Sequence, residues 1–499
     1  MKRQLILLTT LAVASSAAFT QSNFASSVVS STGLGTNPLY NNPQAMLGAP
    51  STWIRDTFDG GPLQQMAVSI VYGAWNVDPQ NNNVICTVPP GGEVVVRFDP
   101  PITRNPRNWY GADFIVYGNS AFTTSNGWAQ WNTNYALLNI SQGAPLFEEP
   151  TTISVSPDGV QWYTYDAPRA DSLWPTQAFT WNAGAQEWGP LSDAHKPVPP
   201  SLVPMRFSAN NVADSITLMN RSYGGTAFSL AQTPFSSIQY VRVTGSGGEV
   251  DAMSRVLPKP RQGNDLLLVQ DGALYLWRLL RGEPVAWLQL TTSLGDYEVT
   301  AAGDANGDGY DDIAFRSPSS GHTVVWYGND LGEFEAETLL FDSPWRLSAI
   351  GDITGNGQDD LVWHNPQTGV VSVWKRNGSS FEPVTIGACD TSNSSLEPRS
   401  LVFLPSGQVW LLWNDATTLY GWRLNTAAEV VEARLVGFYD SAQFQPGAVI
   451  DQEGTGVPAL LFQSAQGTVG WQFADSLVPT PSSVRFPSTL ASFVGAGNL

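Results

Sequence analysis

The second half of the chain repeats one hydrophobic pattern five times. Each copy is an apolar run, a polar turn and an alternating run with tryptophan near its end, as in LVWHNPQTGVVSVWKR from position 361. Successive copies are 48 or 49 residues apart, as shown by the tryptophans Trp277, Trp326, Trp374, Trp422 and Trp471. A unit of this length holds four strands of about five to six residues with their turns. The pattern therefore predicts five four-stranded units.

A second element recurs about 25 residues after each tryptophan, beginning with AAGDANGDG at 301 and AIGDITGNG at 349. The first copy, which starts at Gly263, lacks this element, and the final stretch FVGAGNL supplies it. Closing a ring in this way removes exposed sheet edges. We therefore expect a C-terminal five-bladed β-propeller over 264–499, in which the last strand completes the first blade. An open solenoid is the alternative, although it would need polar capping repeats.

Residues 23–257 show no such repeat. Short apolar or alternating runs are separated there by loops rich in Pro, Gly and Asn, which predicts an N-terminal antiparallel β-sandwich of jelly-roll-like type. The runs are VVVRF (94–98), DFIVYGN (113–119), TTISVSPDGVQWYTY (151–165), SITLM (215–219) and IQYVRVTG (238–245). Two prolines, two basic residues and a glycine around 258–263 predict a short, stiff linker. The fold class expected for the whole chain is all-β.

The stretch GDANGDGYDD, from Gly303, concentrates four aspartates in ten residues. Counted from the first aspartate, oxygen-bearing side chains stand at positions 1, 3, 5 and 9, and position 7 can offer a main-chain carbonyl. These residues are Asp304, Asn306, Asp308, Asp312 and, at position 7, Tyr310. Hard oxygen donors at alternate positions of a glycine-bent loop suit Ca²⁺, which would also offset the repulsion between the carboxylates.

The third repeat carries a copy of this loop with fewer charges, so we expect a lower affinity for calcium there. Its corresponding residues are Asp352, Thr354, Asn356, Asp360 and, at the carbonyl position, Gln358. Repeat five keeps Asp451 and Glu453 but has Ala459 at the last position, and repeat four has lost the acids, so no site is expected in either. A turn held by aspartate side chains without a metal is the alternative for every copy.

Composition narrows the function classes. The net charge is −19, from 43 acidic and 24 basic residues, and such a surface repels nucleic acid and anionic lipid.

The first residues, MKRQLILLTTLAVASSAAFTQS, read as a secretory signal peptide over 1–18, which predicts a secreted or cell-surface protein. No transmembrane span is expected, and Cys86 and Cys389 are expected to be separate thiols. No nucleophile motif or phosphate-binding loop is present in the sequence.

The acidic loops and tryptophans resemble the FG-GAP/VCBS repeat family of β-propellers, in its Trp-rich bacterial form. This resemblance implies calcium loops in extracellular proteins that bind proteins or glycans, and it implies no activity.

The first half resembles an N-terminal domain of exported bacterial cell-surface proteins. The motifs that carry this second resemblance, in order, are MLGAP (46–50), DFIVYGN (113–119), ISVSPDGVQW (153–162), GGTAFSLA (224–231) and YVRVTGSGGEVDAM (240–253). Thr226 and Ser229 replace acids of the family pattern, so a cation site in that loop is in doubt.

Two functions follow as hypotheses. The favoured one is an exported, calcium-binding cell-surface or secreted protein that acts as a binding or adhesion module for glycans or proteins, without catalysis. The alternative is a polysaccharide-active hydrolase or lyase that uses clustered carboxylates. The five repeat tryptophans are expected to pack between blades, and a sugar-stacking platform is the other reading.

Overall fold

A computed structural model describes residues 23–56, 64–76, 84–130, 132–166, 170–280, 283–329, 333–393, 395–451, 454–465, 467–482 and 492–498. The signal peptide expected at 1–18 lies outside these residues, as do Glu453 and Leu499. The described part is all-β, built from antiparallel sheets. Its one α-helix, α1, spans Val212–Leu218.

The N-terminal part contains fifteen described strands. In chain order they are β1 (Ser27–Thr32), β2 (Trp53–Asp56), β3 (Gln64–Ala67), β4 (Cys86–Thr87), β5 (Glu93–Thr103), β6 (Phe114–Gly118), β7 (Ala121–Phe122), β8 (Leu146–Phe147), β9 (Thr152–Ser156), β10 (Tyr163–Thr164), β11 (Phe179–Asn182), β12 (Glu187–Leu191), β13 (Thr226–Phe228), β14 (Ser237–Thr244) and β15 (Glu249–Arg255). Short 3₁₀ turns lie at Pro43–Met46, Trp109–Gly111, Tyr135–Leu137, Pro204–Phe207 and Leu230–Gln232.

Two sheets dominate this part and share one core. The first has the order β1-β5-β14-β9-β10 and the second the order β13-β6-β15-β4. Alternate residues of β5, such as Val94 and Val96, pack against Phe114 and Val116 of β6. The opposite face of β6 is also buried, because Ile115 packs under the loops and α1. Residues 114–117 of the DFIVYGN run are all apolar because both faces of β6 lie in a core.

The SITLM run was expected to be a strand, and this prediction is wrong. Its first four residues belong to α1 and Met219 is the C-cap of that helix, in which Val212, Ala213 and Ile216 are buried. Asn211 caps the helix, since its side-chain oxygen accepts a hydrogen bond from the Asp214 N–H at 2.8 Å. A capping asparagine with helical spacing of the apolar residues outweighs the β preference of a five-residue window.

The second half contains twenty described strands, which form five four-stranded sheets. The first sheet holds β16 (Asp265–Gln270), β17 (Ala273–Leu280), β18 (Glu283–Thr291) and the last strand, β35 (Ser492–Gly497). The next two hold β19 (Glu298–Gly303), β20 (Asp312–Arg316), β21 (Thr323–Gly328), β22 (Phe334–Leu340), and β23 (Arg346–Gly351), β24 (Asp360–His364), β25 (Val370–Asn377), β26 (Ser380–Ala388). The last two hold β27 (Glu397–Phe403), β28 (Val409–Asn414), β29 (Thr418–Leu424), β30 (Val430–Phe438), and β31 (Gln445–Ile450), β32 (Ala459–Ser464), β33 (Gly467–Gln472), β34 (Thr480–Ser482).

These sheets form a closed ring. The inner strands contact one another in the cycle β35, β19, β23, β27, β31 and back to β35. Each pair of neighbouring sheets buries its own apolar cluster, as Leu266 and Leu268 of the first sheet do with Ile450 and Leu461 of the fifth. Both faces of each inner sheet region are therefore buried, which explains continuous apolar runs such as DLLLVQ in β16.

The last strand completes the first sheet, as the repeat alignment predicts. β35 runs antiparallel to β16, with Asp265 opposite Gly497 and Leu268 opposite Phe493. The ring is thus sealed by pairing between distant parts of the chain, and β16 is not left as an unpaired edge.

The five repeat tryptophans pack inside the ring. Trp422 packs at a tilt against Trp413, with 4.5 Å between ring centroids, and Trp471 packs at a tilt against Phe462 at 4.8 Å. The indole of Trp422 also reaches the preceding sheet, where a Cβ on Gly387 would lie 3.3 Å from the ring. This glycine leaves room for the tryptophan to wedge between two sheets, which is the packing role expected from the sequence.

Candidate functional site

The two predicted calcium loops lie at the joint between the halves of the chain. The first acidic loop (303–312) connects β19 to β20, and the second acidic loop (351–360) connects β23 to β24. Both border a cavity of about 450 Å³ at the centre of the ring, which is also lined by 106–111 of the N-terminal part and by 259–263 of the linker. The candidate site residues therefore face both the ring and the domain that precedes it.

Asp304 organises the turn of the first acidic loop. One carboxylate oxygen accepts hydrogen bonds from the N–H groups of Gly307 at 2.6 Å and Asp308 at 3.1 Å, and the other accepts from Gly309 at 2.8 Å. Gly307 and Gly309 have φ values of 85° and 95°, in the left-handed region where glycine is favoured. The sequence folds this way because only a glycine-rich chain can turn its N–H groups onto one aspartate.

Asp312 closes the same loop from its other end. It accepts hydrogen bonds from the N–H groups of Ala305 at 2.7 Å, Asn306 at 3.2 Å and Gly328 at 2.9 Å. The residue is fully buried, and burial raises the pKa of its carboxyl to about 8. Among the described residues, no lysine or arginine forms an ion pair with Asp304, Asp308 or Asp312.

The other residues predicted to supply oxygen ligands for calcium form the exposed rim of the first acidic loop. The side-chain oxygen of Asn306 accepts the Asp308 N–H at 2.9 Å, and the Asp308 carboxylate accepts the Tyr310 N–H at 2.9 Å. The Asn306 amide also donates to Asp308 at 2.8 Å. The residues predicted to supply calcium ligands at alternate positions of the sequence thus lie together on one turn.

The second acidic loop repeats the same turn. Asp360 accepts from the N–H groups of Ile353 and Thr354, both at 2.9 Å, and from Arg376 at 2.8 Å. Asp352 accepts from the N–H of Gly355 at 2.6 Å. The acids at positions 1 and 9 therefore have the same role in both loops, whatever occupies the positions between them.

Two residues of the second acidic loop that were predicted to supply calcium ligands are hydrogen-bonded to the neighbouring strand and its turn. Asn356 donates through its amide to the main-chain carbonyl of Arg376 at 2.8 Å and accepts the Gln358 N–H at 2.8 Å. The Gln358 side chain accepts the N–H of Gly378 at 2.9 Å. These contacts fasten the loop to β25 and to the turn that follows it.

The two loops differ in the positive charges near them. At the second loop, the guanidinium groups of Arg261 and Arg107 lie 3.6 and 4.0 Å from the Asp352 carboxylate. Arg261 also donates to the main-chain oxygen of Asp352. At the first loop, Lys259 pairs with Asp311 and donates to the carbonyl of Gly309 at 3.0 Å, and the Arg376 guanidinium donates to the carbonyls of Ala305 and Asn306. The basic residues of the linker are thus counter-ions for the acidic loops.

Sequence reasoning missed Asp311 and Asp359, the acids at position 8 of each loop. Asp359 accepts the N–H of Asp304 at 3.0 Å and so joins the two loops directly. Its pKa is raised to about 7, chiefly by burial and then by the nearby charge of Asp311. The signal that could have found them is the repeated Asp-Asp pair at the end of each loop, together with Lys259 and Arg261 in the linker.

The donor chemistry of the first acidic loop fits calcium. Carboxylate, amide and carbonyl oxygens suit a hard cation. In Asp304 and in Asp312 one carboxylate oxygen already accepts two N–H groups, and the other accepts one and so retains a second lone pair. The buried acids at its two ends also have no ion-pair partner in the described chain. In the same described residues, however, no group of three or more His, Cys, Asp or Glu side chains converges as it would around a bound metal.

The acids of the N-terminal part are used in hydrogen bonds. Asp113 accepts the N–H of Leu230 at 2.7 Å, and Asp251 accepts the N–H and hydroxyl of Ser51 at 2.7 and 2.8 Å. Asn119 donates to Glu249. These side chains therefore serve as hydrogen-bond partners at turns and strand ends.

A closed ring of four-stranded antiparallel sheets around a central cavity is the architecture of a β-propeller. No protein-family model matches the chain. No curated protein matches it either.

Among solved structures, the nidogen/laminin complex is similar with a TM-score of 0.29 and 13% identity, over 41% of this chain and 73% of that one. The Dos1 propeller is similar with a TM-score of 0.25 and 10% identity, over 48% and 73%. Streptogramin B lyase is similar with a TM-score of 0.26 and 11% identity, over 46% and 71%. With TM-scores this low, the three likenesses do not bear on the function of this chain.

Within the described residues, no helix is long and apolar enough to cross a membrane.

Proposed function

We propose that the protein is an exported, calcium-binding module for adhesion or ligand binding at the cell surface or outside the cell. In this proposal the ring is a five-bladed propeller of the FG-GAP/VCBS type, and the N-terminal part is a jelly-roll-like sandwich. The support is the cycle of five sheets with repeats of 48 or 49 residues, and the single core between two N-terminal sheets.

The observation that carries the calcium proposal is that the acid at position 1 of the first loop, Asp304, lacks the ion pairs that Asp352 forms at the same position of the second loop. Asp304 and Asp312 are buried without an ion-pair partner in the described chain, whereas the adjacent Asp311 is paired with Lys259. A buried carboxylate without a counter-ion is costly, and a bound divalent cation would supply the missing charge. The donors would be the side chains of Asn306 and Asp308 and of the two buried acids, with the carbonyl of Tyr310.

The test is calcium binding by isothermal titration calorimetry on the exported chain, with millimolar calcium because extracellular sites bind at about 10⁻⁴–10⁻³ M. We expect one dominant site, which Asp308→Ala removes. A wild-type chain that takes up no calcium at 5 mM, about five times the weakest of these constants, would overturn the assignment.

For ligand binding, the exposed aromatics of the N-terminal part are better placed than the repeat tryptophans. Trp53 is 41% exposed and lies 4.9 Å, centroid to centroid, from Phe179, which in turn lies 6.2 Å from Trp188. The rings are tilted to one another by 48° and 42°, and Phe179 and Trp188 are partly buried. Trp53 therefore offers the exposed apolar face on which a sugar ring can stack, and we propose a glycan as its ligand.

A glycan array with the wild type and Trp53→Ala tests this. Loss of binding at least tenfold is expected for Trp53→Ala. The control is Trp128→Ala, which removes a tryptophan that is 79% exposed elsewhere in the same part. Equal binding by both variants would contradict the assignment, and release of reducing ends from any bound glycan would favour the hydrolase or lyase instead.

A further inference from the structure

The outermost strand of each ring sheet is an edge strand. The five sheet orders end at β18, β22, β26, β30 and β34, and within the described residues no strand pairs with the outer side of any of them. An edge strand presents unpaired main-chain N–H and C=O groups on which another strand can pair. Natural proteins prevent such pairing with proline or with charged side chains on the edge.

Four of the five edge strands carry a protection of this kind. Three of them contain a proline, which has no N–H to donate to a new ladder. These prolines are Pro284 in β18, Pro383 in β26 and Pro481 in β34. In β22, Glu335 and Glu337 are exposed and flank Ala336, so a second copy of this strand paired about that alanine would place like charges opposite each other.

The edge strand β30 lacks both protections. Its sequence, VVEARLVGF (430–438), contains no proline, and it places one acid and one base, Glu432 and Arg434, on the two sides of Ala433. Ala433 lies opposite a repeat tryptophan of its sheet, and Ala336 has the same place in β22. At the position where β22 has its second glutamate, β30 therefore has an arginine.

Alternate side chains of β30 are apolar and exposed. Val431 is 46% exposed and Leu435 is 49% exposed, and Ala433 between them is also exposed. This apolar stripe lies on the edge of a sheet in a chain whose net charge is −19. Apolar side chains on an open edge favour association with another strand.

The chemistry of β30 is symmetric about Ala433. When two copies of the strand pair antiparallel and are centred on this residue, Glu432 of each copy lies opposite Arg434 of the other. Val431 of each copy likewise comes opposite Leu435 of the other. Cross-strand pairs of opposite charge and of apolar side chains stabilise a sheet. A two-fold interface uses the same surface in both copies, and β30 is complementary to itself in this way.

We propose that β30 is the surface on which two copies of this chain associate, edge to edge and antiparallel, to form one continuous eight-stranded sheet. The register of β30 against β29 shifts at Val431 and Val436, so the regular stretch between them is short. We therefore expect weak association, with a dissociation constant of about 10–100 µM, as suits a small interface. The proposal does not depend on the calcium or glycan sites proposed above, since neither includes a residue of β30.

Sedimentation velocity of the full exported chain tests the proposal. The measurement covers about 5–500 µM protein in about 0.15 M NaCl, where a Debye length of about 8 Å screens the repulsion between two acidic copies. We expect a shift from monomer to dimer across this range. A chain that stays monomeric throughout would overturn the proposal. Growth beyond the dimer would also contradict it, because an edge that pairs with itself is complete with two copies.

Two charge variants test the register of the pair. Arg434→Glu makes both charges of the edge negative and Glu432→Arg makes both positive, so each variant alone should associate about tenfold more weakly than the wild type, or less. An equimolar mixture of the two should recover the dimer, because every acid then faces a base. Wild-type association by either variant alone, or a mixture that stays monomeric, would refute the proposed pairing.

The controls separate pairing from net charge and from folding. Glu187→Arg, at an exposed position of the N-terminal part, changes the net charge as Glu432→Arg does and should associate as the wild type does. Glu432 also pairs with Arg423 of its own chain at 2.9 Å, so thermal melts check that each variant folds. If a charge variant does not fold, Leu435→Lys replaces it and should weaken association about tenfold, because lysine on an edge opposes pairing. Undiminished association of folded Leu435→Lys would exclude β30 as the interface.

Discussion

In the first acidic loop the acids at positions 1 and 9 have no ion-pair partner in the described chain, whereas in the second loop Asp352 has Arg107 and Arg261 within 4.0 Å. The turns are otherwise alike, because Asp312 and Asp360 accept equivalent N–H groups. The comparison separates two tasks of an acidic loop. An acid shapes the turn through hydrogen bonds from backbone N–H groups, and this feature is the same in both loops. The charge of an acid is balanced by side chains from other parts of the chain, and this feature differs between the loops.

The largest effect is expected from removing the shared acid of the turn. Asp312→Ala and Asp360→Ala each leave three N–H groups without an acceptor, at about 1–3 kcal/mol for each buried group. Urea unfolding in EGTA should show a loss of about 3 kcal/mol or more for both variants. The exposed Asp475→Ala is the control. A loss of less than about 1 kcal/mol at one position only would break the equivalence of the turns.

Calcium should stabilise the protein through the first loop. With a dissociation constant of about 10⁻⁴ M and 1 mM free calcium, binding adds about 1.4 kcal/mol to the free energy of unfolding. Thermal melts should therefore shift upward with calcium and return with EGTA. Asp308→Ala should abolish the shift. Asn356→Ala, at the same position of the second loop, should leave most of it. If Asn356→Ala abolished the shift and Asp308→Ala kept it, the main calcium site would lie in the second loop and the prediction would be wrong.

A smaller effect is expected where the first loop touches the N-terminal part. The rings of Tyr110 and Tyr310 lie 5.6 Å apart, and aromatic pairs contribute about 0.5–1.5 kcal/mol beyond their burial. A double-mutant cycle with Tyr110→Ala and Tyr310→Ala should give a coupling of about 1 kcal/mol in urea unfolding. Additive losses would show that this contact does not join the domains.

The smallest effect concerns the arginines of the second loop. Asp352 is buried, and the Arg261 side chain is 23% exposed at 3.6 Å from it. An ion pair that reaches solvent at one end contributes about 0.5 kcal/mol, which corresponds to a two- to threefold change in a binding constant. Arg261→Gln should therefore raise the affinity of the second loop for calcium by about that factor. Equilibrium dialysis with Asp308→Ala as background isolates this loop. Unchanged or weaker uptake would mean that Arg261 does not compete with the ion.

Several features of the fold were predictable because they are local or periodic. The repeat spacing predicts the sheets of the second half, the incomplete first copy predicts that the tail pairs with β16, and the glycines of GDANGDGYDD predict the bent turn. The SITLM segment was predicted wrongly, because five residues cannot distinguish a strand from a helix whose cap lies four residues earlier. Its capping residue, Asn211, was the signal that a wider window would have used.

The contacts of the site were less predictable, because they join residues that are far apart in the chain. Asp311 and Lys259 are 52 positions apart, and Asp311 and Asn498 are 187 apart. The repeated Asp-Asp pair draws attention to Asp311 and Asp312, but nothing in the local sequence shows which of the two pairs with the linker. The sequence identified the loops as acidic turns but not the partners of each acid.

The sequence by itself determined the periodic part of this protein: the repeat length, the alternation that forms strands, and the aspartates and glycines that form the turns. These depend on interactions between residues near one another in the chain. Only the tertiary structure decided which acids meet a lysine or arginine and which are buried without one. That outcome depends on how the ring closes and how the N-terminal part lies against it, because the electrostatic energy of a carboxylate depends on its distance to charges from every part of the chain.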